Sequence, residues 1–252
     1  MVKFAHISNY SNLMRFTIFK CGPHVDLVPQ AFTLDDNYNQ SLAQLGFVVI
    51  NFAYRGSGPW RGRDFHTFGY GNLRDYALAD DMAAIRQIAA RYPCADIERV
   101  GIYGHSGGGF MTVAAMLNHP EFYKVGVAAS GNHDNNIYSQ WWGETFHGVK
   151  QTWGKDGKPH FECHIPTNIE LADRLAGRLL LITGDMDNNV HPASTARLAD
   201  ALIRARKRFD MTVIPGADHG LGNSYYVNLI RYYFTEHLLG LPQQEIDIVK
   251  HN

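Results

Sequence analysis

Short unbroken apolar runs alternate along this chain with longer stretches in which apolar positions recur every three or four residues. Phe47-Val48-Val49-Ile50-Asn51-Phe52 is the clearest run, of the kind buried on both faces of a parallel sheet. Residues 16–20, 99–103, 125–129, 179–183 and 209–214 read as further strands. Helical patterns lie between them. One covers 39–45 and stops at Gly46; another covers 75–91, with Leu78, Met82, Ile85 and Ile88 on a single stripe. A third runs from Phe110 to Pro120, which stops it, and two more cover 194–208 and 224–239. Residues 54–71 read as a long loop. Strand–helix alternation of this kind predicts an α/β fold, a mostly parallel, doubly wound sheet with helices on both faces. Residues 130–175, with Trp141, Trp142 and Trp153, break the rhythm and read as an irregular, cap-like insertion in one domain spanning 1–252.

Composition narrows the picture further. At 252 residues and 45% hydrophobic, the chain is the size of one large α/β domain. Such a domain buries roughly 70–75% of its unfolded surface. A formal charge of −1 gives no basic stripe, so nucleic acid is not an expected partner. No apolar run approaches the ~18 residues of a membrane-spanning helix, so no membrane partner is expected either. The opening MVKFAHISNYSNLMR lacks the apolar core of a signal peptide. The expectation is a cytoplasmic chain, although a longer parent could be exported. Cys21, Cys94 and Cys163 make neither a metal pattern nor a disulfide framework and read as buried or idle thiols. No cofactor or metal is called for.

One stretch carries chemistry. Residues 100–110 read VGIYGHSGGGF, which places Ser106 among glycines on a turn from the 99–103 strand into a helix. Glycine at this density marks positive φ or a very close backbone approach. Gly104-His105-Ser106-Gly107-Gly108 matches G-x-S-x-G, the nucleophile elbow of the α/β-hydrolase fold, in the strand–turn–helix context that motif requires. A phosphate-cradling loop is the other reading, but G-x-x-x-x-G-K-[ST] is absent, as is an acidic residue suitably placed for a ribose.

In that fold the acid and then the histidine follow the serine along the chain. The 179–183 strand runs into Gly184-Asp185-Met186-Asp187-Asn188-Asn189-Val190-His191, and the 209–214 strand into Pro215-Gly216-Ala217-Asp218-His219-Gly220. Both loops start at the sheet edge where such folds bind ligands. His219 is therefore the candidate general base, ahead of His119, His133 and His191, with Asp185 or Asp187 as its orienting carboxylate. Spacing alone does not choose between the two acids.

Together, Gly-His-Ser-Gly-Gly-Gly-Phe, Gly-Asp-Met-Asp-Asn-Asn-Val-His-Pro and Gly-Ala-Asp-His-Gly resemble the catalytic domain of the prolyl oligopeptidase family of serine peptidases, in the branch of dipeptidyl peptidase IV and acylaminoacyl peptidase. The likeness runs from about Gly22 to Leu239 and includes Arg55-Gly56-Ser57-Gly58. It implies Ser106, Asp187 and His219 as the triad, because the family's acid stands three residues before the valine. It also implies Gly107 N–H as one oxyanion donor. The family's second donor is a tyrosine in Tyr-x-Gly-Pro, where this chain has Lys20-Cys21-Gly22-Pro23. Lys20 would then supply an ammonium in place of a hydroxyl. Asn189 matches a residue that holds the substrate carbonyl, and Tyr138 and Trp142 fall where aromatic rings wall the pocket for proline or a small side chain. For those two rings, plain packing in the core or cap is the competing reading.

The family's β-propeller has no counterpart here, and the stretch before residue 16 is too short for the strands that usually precede it, as in a truncated gene or an isolated domain. An open sheet edge invites pairing with another chain, hence a homo-oligomer. Three functional readings follow: a serine peptidase acting on short peptides, with proline or alanine before the cut; a carboxylesterase acting on small acyl esters; and a catalytically impaired domain.

Overall fold

The computed structural model describes the backbone of residues 14–20, together with residues 38–222 and 224–241, Tyr38 and Gln40 as backbone alone. Six strands form one sheet, β1 (Met14–Lys20), β2 (Phe47–Ile50), β3 (Ala95–His105), β4 (Tyr123–Ala129), β7 (Arg178–Gly184) and β8 (Asp210–Ile214). Their order is β2-β1-β3-β4-β7-β8, and every described pairing within it is parallel. β5 (Lys150–Trp153) and β6 (Pro159–Glu162) make a separate antiparallel hairpin.

Side-chain alternation explains why the sheet is wound on both faces. Val48, Ile50, Val100, Ile102, Leu179 and Leu181 pack on one side with α3 (Leu78–Arg91), α4 (Gly107–Asn118) and α6 (Ala193–Arg204). Their neighbours Phe47, Val49, Tyr103, Leu180 and Ile182 pack on the other with α1 (Tyr38–Gln44) and α7 (Ser224–Phe234). A period-2 backbone carrying apolar residues at every position has no other way to bury them. Gly101 lies on the second face, where a Cβ would come within 2.6 Å of the Phe234 ring. The missing side chain lets α7 sit close against the centre of the sheet.

Several predicted boundaries move. The helix predicted at 75–91 begins at Leu78, because Arg74 and Asp75 instead form an ion pair at 2.7 Å in the preceding turn. The helix predicted at 194–208 ends at Arg204, where Lys207 N–H bonds to Leu202 O and Arg206 N–H to Ile203 O, with Arg206 at φ 55°. That is a Schellman closure with arginine in the seat usually given to glycine. The 224–239 helix is α-helical to Phe234 and finishes in one π-helical turn, Thr235–Leu239.

The 54–71 loop contains α2 (Arg63–His66) between two 3₁₀ turns. The 130–175 stretch contains α5 (Gln140–Phe146), the exposed β5–β6 hairpin and a 3₁₀ turn over Ile169–Arg174. Ser139 caps α5 by accepting the Trp142 N–H. Buried Arg74 ties this stretch down by donating to Thr167 O at 2.8 Å. Cys94 and Cys163 are free and exposed, so of the two expectations, buried or idle, burial does not hold for them, and Cys21 lies outside the described residues.

Candidate active site

β3 carries straight into α4 through one residue. Ser106 adopts φ 58°, ψ −125°, a conformation that costs a non-glycine residue on the order of 1–3 kcal/mol unless the surroundings enforce it. They do so here. Ser106 N–H donates to Ala129 O at the end of β4 (2.8 Å), and Ser106 O accepts from Phe110 N in the first turn of α4 (3.1 Å). A Cβ on Gly104 would run into the Gly108 carbonyl, and one on Gly109 would lie 2.6 Å from Ala129 O. The glycines of the motif are thus the condition for folding α4 directly over the strand ends. Gly107 opens α4, and its N–H belongs to the first-turn amides that helix geometry leaves without an intrahelical acceptor.

Two loops meet at the same edge. His219, after β8, places Nε2 2.9 Å from Ser106 Oγ and Nδ1 2.8 Å from Asp187 Oδ2. An ionised carboxylate only accepts, so Nδ1 carries the proton and Nε2 presents its lone pair to the serine hydroxyl. The Asp187 side chain is fully buried. Its other oxygen accepts from Asn189 N (3.0 Å) and Val190 N (2.9 Å), which fixes the carboxylate from its own loop. Asp185 faces elsewhere and accepts Gly216 N–H at 2.6 Å. With Met186 N–H donating to Ala217 O at 3.1 Å, this bond zips the β7 loop to the β8 loop and sets the acid against the base.

Of the residues expected to bind substrate, three are joined by direct contacts. Tyr138 O–H donates to Asn189 Oδ1 at 2.6 Å, and the Tyr138 and Trp142 rings meet edge-on at 5.8 Å between centroids. Trp142 in turn contacts Phe146 at 5.3 Å. Burial, and after it the Asp187 carboxylate, raises the Tyr138 phenol above its ordinary pKa. Asn189 N–H, bonded to Asp187 Oδ1, joins these residues to the acid of the site. Lys20 ends β1 in register with Gly104, two residues before Ser106. The expectation concerning its ammonium lies outside the described residues, as does Cys21-Gly22-Pro23.

Sequence reasoning passed over two residues at the site. His105 Nε2 lies 2.5 Å from the His219 carbonyl oxygen, and Ser130 Oγ donates to that same oxygen at 3.2 Å. His105 stood in the quoted motif as an unassigned x, so adjacency to Ser106 was a signal. Ser130 carried none, because its relation to His219 spans 89 residues and runs through a backbone atom.

Elbow serine, histidine and buried aspartate on the C-terminal edge of a parallel, doubly wound sheet are the arrangement of the serine hydrolases of the α/β-hydrolase fold. The chain belongs to the prolyl oligopeptidase family, whose model matches residues 33–241. It is 29% identical to human dipeptidyl peptidase 8 over 218 residues, which are 84% of this chain and 24% of that protein. The solved structure of a Bacteroides ovatus protein superposes with a TM-score of 0.78 at 26% identity, covering 94% of this chain and 36% of the other. Porphyromonas gingivalis dipeptidyl peptidase 4 gives 0.72 at 27% identity, covering 87% and 30%. This chain thus spans about a quarter of the curated relative's length and about a third of the solved ones.

Proposed function

We propose that this chain is the catalytic unit of a serine peptidase acting on short peptides, with proline or alanine before the cut. The observation that carries the proposal is the hydrogen-bonded line from Ser106 Oγ through His219 to Asp187, at 2.9 and 2.8 Å. Ser106 Oγ attacks the scissile carbonyl carbon while His219 Nε2 takes the hydroxyl proton. His219 then returns that proton to the leaving amine, and water hydrolyses the acyl-enzyme by the same route. Asp187 holds the useful tautomer and stabilises the imidazolium. Gly107 N–H, at the positive end of α4, faces the oxygen that becomes negative. Tyr138 and Trp142 bound the side-chain pocket. Asn189, whose Oδ1 is occupied by the tyrosine, has its amide N–H groups left to hold a substrate carbonyl.

The named relatives are dipeptidyl peptidases, which favours the peptidase over the esterase reading. The test is purified protein with Gly-Pro and Ala-Pro anilides beside a p-nitrophenyl ester series, with fluorophosphonate labelling as a substrate-independent readout. Anilide turnover, with a single label lost in Ser106→Ala, is expected. Ester turnover without anilide turnover returns the esterase reading, and a label that survives Ser106→Ala removes the serine from its role.

A further inference from the structure

We infer that His105 is a positioning residue for the base, holding His219 by its backbone carbonyl together with Ser130. This rests on the assignment of Ser106, His219 and Asp187 made above. His219 lies on an irregular loop, and its ring is held at one end by Asp187 and at the other by the serine it must deprotonate. Neither contact sets the height of the loop above the sheet. Beside the Asp185 and Met186 bonds that join the two loops, the His219 carbonyl ties the loop to the strand ends, since its oxygen takes a hydrogen bond at 2.5 Å from His105 Nε2 and one at 3.2 Å from Ser130 Oγ.

Both donors come from the elements that place the nucleophile. His105 ends β3 and directly precedes Ser106; Ser130 follows Ala129, whose carbonyl receives the Ser106 N–H. Ser130 N–H is itself fixed to Ile182 O at 2.8 Å. Nucleophile and base thus hang from the same two strand ends, and the distance between them is set by three short links.

The role demands Nε2–H on His105 and an uncharged ring. The His105 and His219 rings lie 4.8 Å apart between centroids at 55°, so a cation on His105 would oppose the imidazolium that forms on His219 during attack. Burial, the largest influence, pulls the His105 pKa below its ordinary value; the His219 ring also lowers it, while the bond to the His219 carbonyl and the Asp187 carboxylate push the other way. A displacement near 1 Å at a reacting group costs on the order of 10²-fold in rate, which makes a carbonyl anchor of this kind visible in kinetics.

The experiment compares His105→Phe, which keeps a ring against His219 but loses the donor, with His105→Gln, which restores an amide donor, and with Ser130→Ala. Readouts are the fluorophosphonate labelling rate of Ser106, kcat and KM on Ala-Pro anilide, and the melting temperature. His105→Phe should slow labelling and kcat together by roughly 10-fold or more, with KM within about two-fold. His105→Gln should recover most of that loss, and Ser130→Ala should fall between wild type and His105→Phe. Labelling within two-fold of wild type in His105→Phe, or His105→Gln as slow as His105→Phe, overturns the inference. If His105→Phe does not fold, Ser130→Ala and His105→Gln decide alone: unchanged rates in Ser130→Ala overturn it, and slowed labelling with wild-type KM supports it. Failure of wild type to label would instead strike the triad assignment itself.

Discussion

Asp185 and Asp187 stand two residues apart on one loop and serve different neighbours: Asp185 accepts the exposed Gly216 N–H, while buried Asp187 meets His219. The first bond joins two loops and the second orients a ring. Asp187→Asn should therefore lower kcat by on the order of 10⁴ with the fold intact, because an amide there favours the wrong imidazole tautomer. Asp185→Asn, which keeps an oxygen to accept Gly216 N–H, should instead cost at most about 1 kcal/mol of stability and leave kcat within a few-fold. Parallel measurement of kcat and urea midpoint decides the matter; a larger kcat loss in Asp185→Asn would reverse the two roles.

The Tyr138–Asn189 bond separates a pocket wall from mere packing. Tyr138→Phe keeps the edge-on contact with Trp142 and removes only the hydroxyl that holds Asn189 Oδ1. A neutral hydrogen bond is worth about 0.5–1.5 kcal/mol, so KM for a dipeptidyl anilide should rise roughly 2- to 10-fold while the melting temperature barely moves. Unchanged KM alongside a lower melting temperature would assign the tyrosine to packing alone.

His133 makes acid sensitivity a property of the region beneath the elbow. Its ring is fully buried, with Nδ1 3.1 Å from Asn168 Nδ2, and Asn168 Nδ2 also donates to Phe110 O at 2.9 Å. Burial holds the imidazole down to a pKa of about 3. The unfolded chain, with an ordinary histidine value near 6.5, takes up its proton first as pH falls. The stability tied to this group is therefore complete above about pH 6.5 and drains away toward pH 3, amounting to about 2 kcal/mol lost by pH 5. Urea midpoints at pH 7 and pH 5 should separate, and His133→Asn, with no proton to gain there, should narrow the gap. An equal gap in both proteins would place the acid response in other groups.

Much of this architecture is legible without coordinates because parallel strands buried on both faces must be apolar throughout. Phe47–Ile50 and Arg178–Gly184 stand out for that reason. The elbow is legible because only glycine lets α4 fold over β3 at Gly104 and Gly109. The acid is different. Asp185 and Asp187 are chemically alike and nearly adjacent, and what separates them is direction in space, which the family resemblance supplied and spacing did not. Helix ends shifted wherever a side-chain pair or a Schellman closure competed with the apolar stripe, as at Arg74–Asp75 and Arg206. The short turns over 59–69 and the β5–β6 hairpin escaped the pattern because four exposed residues have no buried face to betray them.

Because Ser106 N–H closes onto Ala129 O and Ser130 N–H onto Ile182 O, the elbow belongs to the same cooperative unit as the central strands. Local opening that exposed these amides would have to break the pairing of β3, β4 and β7 at once, at a free energy near that of global unfolding. The elbow has no shallow route to melting apart from its sheet. Deuterium should therefore enter Ser106 and Ser130 as late as it enters the buried strands, and on heating the elbow should open only when those strands do.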